Sequence, residues 1–270
     1  MNADDYAKLK INKVKEISKV EAYPLVEKYH YSKVMPRLTK HYLGIYADDI
    51  LVGILTLGWG TQPKGTINKL FPGSDTSCYY EIGKMCMMDE MPRNSETQML
   101  SLVVKWIKEN LPQKEFLYTW ADGIVGKPGY VYQAANFLYG GFIWTDVYIG
   151  ADGEKIHPRS SSGLLEENRI FLKRENRVFW MTPDFMKHKG IRRIKGKMFR
   201  YILPLSKKAR RKLKTSTVKW TLEHPKHDDL QWKDASKGGK AKILNKMPEF
   251  DLEVVNVNKK NVQSYKKGAD

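Results

Sequence analysis

Strand-like and helix-like apolar patterns alternate through the first 150 residues, and that alternation limits the architectures open to the chain. Residues 41–47 and 51–59 are β-rich runs separated by Asp48-Asp49-Ile50, a hairpin signal. A strand follows at 78–88, after an excursion at 61–77 that is rich in Gly, Pro, Asn and Ser. Residues 95–110 place Met99, Leu102, Val103, Trp106 and Ile107 at helical spacing, and Pro112 ends the run. Ser95 with Gln98 reads as the capping box of that helix. Residues 20–28 predict a shorter helix that enters the loop 29–33. A strand at 116–121 stops at Asp122-Gly123, a second helix covers 130–139 up to Gly140-Gly141, and strands follow at 142–149 and 197–205. This order predicts an α/β fold, an α+β mixed sheet with helices packed against it.

Charge divides the chain differently. Of the 270 residues, 47 are Lys or Arg and 30 are Asp or Glu, a net charge of +17. Residues 1–170 carry 20 of each sign, whereas residues 171–226 carry 18 cations and three acids, Glu175, Asp184 and Glu223. That segment interleaves its cations with Phe179, Trp180, Phe185, Phe199, Tyr201 and Trp220, so it is expected to fold. Clustered cations are the footprint of a polyanion, and a nucleic acid is the expected partner. The residues expected to grip it are Arg192, Arg193, Lys195, Lys197, Arg200, Lys207, Lys208, Arg210, Arg211 and Lys212. The last five fall on a short helix with Ser206 as its N-cap. That helix lacks the broad apolar face that a membrane surface would require.

The expected organisation is a core at 1–150, a basic extension at 151–226 that includes the returning strand, and a polar tail at 227–270. No apolar run approaches the roughly 18 residues that span a bilayer, and the N-terminus shows no secretory signal. Two cysteines, Cys78 and Cys86, suit a reducing compartment, and a cytoplasmic location is expected. The six His are scattered, with only His224 and His227 at a ligand-like spacing, so no metal site is expected.

A strand, the helix that runs into Ala134-Ala135-Asn136-Phe137-Leu138-Tyr139-Gly140-Gly141-Phe142, and a strand again resemble the end of the GNAT acetyltransferase fold. The turn at 92–98 departs from that pattern. It has no glycine where backbone amides would approach a coenzyme A pyrophosphate, and it carries Glu96. Phe137 stands where that family often has a catalytic Tyr. A narrower likeness rests on His30-Tyr31-Ser32, on Glu81 to Lys84, on Pro92-Arg93-Asn94-Ser95-Glu96, on Ala121-Asp122, on Tyr132-Gln133-Ala134-Ala135-Asn136 and on Arg200-Tyr201-Ile202. In these residues the chain resembles phage Mom-type DNA modification proteins. The resemblance implies a GNAT-like transferase with a basic C-terminal extension. It further implies double-stranded DNA as the partner and transfer of a carbamoylmethyl (acetamido) group to adenine N6 in phage DNA, which protects that DNA from host restriction.

Adenine N6 is a poor nucleophile, so such chemistry needs an extruded base, a positioned electrophile and a proton acceptor. The catalytic candidates are His30, Tyr31 and Asp122. His30 is a base by intrinsic pKa or else a helix cap, Tyr31 stacks on the base, and Asp122 holds the amine or else closes a turn. Ser32, Tyr132, Gln133 and Asn136 are the substrate-binding candidates, with Tyr132 and Asn136 expected on one helix face and amides suited to the adenine edge. Lys84, Arg93, Asn94 and Ser95 are the cofactor-binding candidates, for a donor that the sequence does not identify beyond acetyl-CoA or another acyl-type compound. Two rival readings stay open: an acetyl-CoA-dependent N-acetyltransferase acting on a protein or small amine, and a non-enzymatic DNA-binding protein.

Overall fold

The computed structural model describes residues 9–156, 161–249 and 251–255, which fall into two compact units. The first comprises Met1–Ala121, Gly129–Gly141 and Phe199–Pro225; the second comprises Asp122–Pro128, Phe142–Met198 and Lys226–Asp270. The basic segment does not stand apart, because residues 171–198 belong to the second unit and residues 199–225 to the first.

In the first unit, β1 (Ile11–Glu16), α1 (Lys19–Tyr29), β2 (Leu38–Ala47) and β3 (Ile50–Trp59) come first. Ser18 caps α1 by accepting from Glu21 N at 3.2 Å, and the Glu21 carboxylate accepts from Ser18 N at 2.7 Å. The β2–β3 hairpin turns on Asp48 and Asp49 at φ 48° and 72°, the left-handed pair that a tight hairpin of this twist demands. The excursion at 61–77 contains α2 (Pro63–Leu70), started by a Pro at the helix N-terminus. Then come β4 (Tyr79–Met87), α3 (Ser95–Asn110), β5 (Phe116–Asp122) and α4 (Tyr130–Ala134), followed by the first residues of β6 (Leu138–Ile149). The sheet order is β1-β2-β3-β4-β5, then the C-terminal half of the later strand β8, then β6. Helices α1 and α3 pack over β1–β4, and α3 buries Met99, Leu100, Val103 and Ile107. Phe71 stacks on Phe116 at 4.7 Å in a cluster with Ile67, Tyr79, Tyr118 and Ile202.

Two local expectations are corrected. Ser95 is not the N-cap of α3: Asn94 is, at φ 73°, and the buried Ser95 hydroxyl donates to Pro92 O at 2.5 Å. The helix expected over 130–139 is only α4, because Asn136 takes a left-handed conformation (φ 61°) just past the C-cap and β6 has begun by Leu138. Tyr132 and Asn136 therefore do not share a helix face.

Gly129, the N-cap of α4, lies at φ 96°, and a Cβ there would stand 2.7 Å from Tyr201 Cε2 and 2.9 Å from Ala121 Cβ. Neither neighbour is the end of a flexible chain. Gly129→Ala is expected to destabilise the protein by more than about 2 kcal/mol, read by denaturant unfolding.

The second unit contains the rest of β6, then β7 (Glu154–Ile156), α5 (Ser161–Phe171), α6 (Pro183–Lys189) and the start of β8 (Arg192–Pro204). The short α7 (Lys207–Lys212), which follows β8, belongs to the first unit. The chain then returns to the second for β9 (Trp232–Asp234), β10 (Lys242–Leu244) and β11 (Asp251–Val255). The order is β10-β9-β8-β6-β7-β11. Its core gathers Met181, Phe185, Met186 and Ile191 against Tyr148, Ile156, Leu164 and Leu165. Trp232 is buried, and its Nε1 donates to Ile124 O at 2.9 Å. Residues 232–244 of the expected polar tail thus form β9 and β10. No helix among the described residues is long and apolar enough to cross a membrane.

Candidate active site

Strands β4 and β5 run parallel and pair at Tyr79↔Phe116, Tyr80↔Leu117 and Glu81↔Tyr118; beyond Glu81 no further pair joins them among the described residues. The other edge of β4 is irregular at the same level: Leu55 faces Met85 while Leu57 faces Ile82, and Lys84 N donates to Thr56 Oγ1 at 2.8 Å. The ladder to β5 ends at Glu81, and the bulge against β3 follows at Gly83-Lys84. Bulges beside a site commonly re-aim a side chain.

Glu81 is an acid between Tyr79-Tyr80 and Ile82, all buried. Burial raises its carboxyl pKa from 4.5 to about 7, opposed in part by the Gly60 N–H that donates to the carboxylate. Gly60 is small for a reason: a Cβ there would stand 3.1 Å from Glu81 Oε2. Three tyrosines sense the carboxylate charge, Tyr79, Tyr118 and Tyr132, and burial lifts the pKa of each hydroxyl. All three therefore stay protonated near neutrality. The Tyr132 hydroxyl shares a hydrogen bond with Thr119, and the Tyr118 hydroxyl shares one with Arg200.

Arg200 is half-buried. Its guanidinium lies 5.1 Å from the Trp120 ring centre, Nη1 donates to Gly140 O at 3.1 Å, and the buried Nε has no partner among the described residues. Its charge is engaged inside the fold, unlike those of the exposed cations expected to grip DNA beside it. A carboxyl pushed up to about 7 by burial, among tyrosine hydroxyls that sense its charge, can exchange a proton near neutrality. Sequence reading passed over Glu81 as a site residue, and the signal available was an acid inside an otherwise apolar aromatic strand.

The expected residues fall in several places. His30 caps α1, its Nδ1 accepts from Ser32 N at 2.9 Å, and its ring stacks on Tyr31 at 4.5 Å. An accepting Nδ1 puts the proton of a neutral ring on Nε2. The Lys84 amine is buried and donates to Ser32 O at 2.7 Å, tying down this loop. Gln133 Nε2 donates to Tyr201 Oη at 3.0 Å and to Pro225 O at 2.9 Å, and Asn136 is exposed at its turn. Asp122, which belongs to the second unit, caps the turn after β5 by accepting from Ile124 N at 3.1 Å.

Of the four cofactor candidates, Arg93 and Asn94 are exposed, whereas Lys84 and Ser95 are buried on backbone carbonyls. With the exposed Glu96 beside Arg93, the start of α3 does not compose a pyrophosphate cradle. Among the described residues, no cluster of His, Cys, Asp and Glu suits a metal ion. The expected DNA-binding cations also differ in placement. Lys207, Lys208, Arg210 and Arg211 are exposed on α7, which Ser206 caps by accepting from Ala209 N at 3.1 Å. Lys212, by contrast, pairs with Glu115 at 2.5 Å. In the second unit Arg192 pairs with Asp234, Arg193 and Lys195 pair with Asp146, and Lys197 donates to Asp229 O.

Residues 12–222, most of the chain, match the family model described as the Mom protein family. The chain belongs to the Mom protein family. This family member is 29% identical over 209 residues to the methylcarbamoylase Mom of Escherichia phage Mu, covering 77% of this chain and 81% of that protein. Solved structures with some likeness include a candidate GNAT-family acetyltransferase from Desulfovibrio desulfuricans, at 12% identity and TM-score 0.36, covering 72% of this chain and 99% of that one. An N-acetyltransferase from Staphylococcus aureus Mu50 aligns at 13% identity and TM-score 0.35, over 72% and 97% of the two chains.

Proposed function

We propose that this chain is a DNA-modifying transferase that places a carbamoylmethyl (acetamido) group on adenine N6, making the DNA resistant to host restriction enzymes. Family membership and the name of the phage Mu relative support the transferred group. The observation that carries the chemistry is Glu81, a half-buried carboxyl held at about 7 among protonated tyrosines. In this reading the N6 lone pair attacks the donor carbon and Glu81 takes the N6 proton. The leaving group departs with its bonding pair. Tyr118 and Arg200 steady charge as it builds, and Tyr132 fixes one wall. His30 and Tyr31 form a stacked pair at the loop held by Lys84, suited to lie against a base. The exposed cations of α7 would grip the duplex backbone in the cytoplasm.

Mass spectrometry of nucleosides from cells that express the chain tests this. Deoxyadenosine bearing a carbamoylmethyl group in place of one hydrogen is expected. Unmodified deoxyadenosine beside intact, salt-dependent DNA binding would leave only a DNA-binding protein.

A further inference from the structure

One face of the second unit's sheet joins aromatic rings open to solvent with cations. Alternate residues of β6, Phe142, Trp144, Asp146 and Tyr148, project to the same side. Tyr148 is covered by the α6 cluster, but Phe142 remains 42% exposed. Phe142 and Trp144 meet edge to face at 5.8 Å.

The neighbouring strands bring the charge. Arg193, Lys195 and Lys197 alternate along β8, Lys195 lies opposite Lys233 of β9, and Lys233 lies opposite Ile243 of β10, which is 56% exposed. Lys197 Nζ sits 4.7 Å from the Phe142 ring centre and Lys233 Nζ 3.9 Å from that of Trp144. Asp146 is the acid of this group, and it answers Arg193 and Lys195. Beside Trp144 a cavity of about 340 Å³ is lined by Arg193, Lys195, Lys233, Gly238 and Gly239.

We propose that this face is a stacking platform for an unpaired DNA strand. Rings backed by cations on an open sheet accept base faces of any sequence, while lysines meet phosphates. A duplex hides its base faces except at its ends, so the platform selects nucleotides taken out of pairing. This inference rests on the proposed DNA-modifying function, because extruding a base leaves unpaired nucleotides to be held.

Fluorescence anisotropy with the full chain tests it, using an oligothymidylate of about 12 nucleotides and a duplex of equal length. Phe142→Ala and Trp144→Ala are each expected to weaken single-strand binding about tenfold or more, with duplex binding changed less than about twofold; Trp144→Phe should retain most of the affinity. As a check that needs no variant, bromodeoxyuridine in the same oligonucleotide is expected to photocross-link unaltered protein within residues 142–144. Undiminished single-strand binding in both alanine variants, equal losses on single strand and duplex, or cross-links confined to other segments would overturn the platform. Nucleoside analysis is read separately, so a failure of modification with these binding results intact overturns the proposed function and not the platform.

Discussion

Glu81→Gln is expected to cut adenine modification by at least about 10²-fold while making the protein more stable at about pH 8. The two effects share one cause. In the folded chain burial keeps the Glu81 carboxyl protonated up to about 7, whereas an unfolded chain releases that proton near 4.5. Between those values the folded state binds more protons, so stability falls as pH rises through the window, and above about 7 the full penalty of a desolvated charge applies. Glutamine keeps the shape and removes the charge. The gain at about pH 8 is expected to be about 1–2 kcal/mol, below the full linkage value because Glu81 keeps some exposure to solvent, and it should vanish below about pH 4.5. Urea unfolding at the two pH values measures it. A variant that loses activity without that pH-dependent gain would place Glu81 in a merely structural role.

The second large effect concerns the grip on DNA. Changing Lys207, Lys208, Arg210 and Arg211 together to Gln is expected to reduce duplex affinity by roughly two orders of magnitude at low salt. The slope of log K against log salt should shrink by up to about 4. These four side chains are exposed on α7, while Ala209 beneath them is buried and anchors the helix. Lys212 provides the contrast on the same helix. Its amine is tied to Glu115 and lies 5.8 Å from the Phe116 ring centre, so Lys212→Gln is expected to lower stability and leave the salt slope nearly unchanged. Anisotropy titrations at several salt concentrations separate the two.

Much of the architecture was legible because it is local. The helical spacing of Met99, Val103 and Ile107 located α3, the Asp48-Asp49 pair marked the hairpin, and Ser206 marked the start of α7. Errors arose where one backbone conformation overrides a pattern. The apolar run after Tyr130 looks helical until Asn136 turns left-handed, and Asn94 took the cap expected of Ser95. The site was less legible because distance in sequence hides it. Glu81 owes its raised carboxyl to burial within the sheet, partly offset by the N–H of Gly60, 21 residues away, and Tyr118 meets Arg200 only through the fold. Read one residue at a time, Arg200 counted among the cations expected to grip DNA, and Phe142 and Trp144 as part of a strand.

The pH dependence of modification tests the central claim most directly. Purified protein would be supplied with an extract that contains the donor, and modified deoxyadenosine counted by mass spectrometry from about pH 5.5 to about pH 8.5. A rate that climbs with a midpoint near 7 to a plateau, and is absent in Glu81→Gln, is the predicted result. A rate that is flat or falls across that range, or that climbs equally in Glu81→Gln, would contradict Glu81 as the acceptor of the N6 proton.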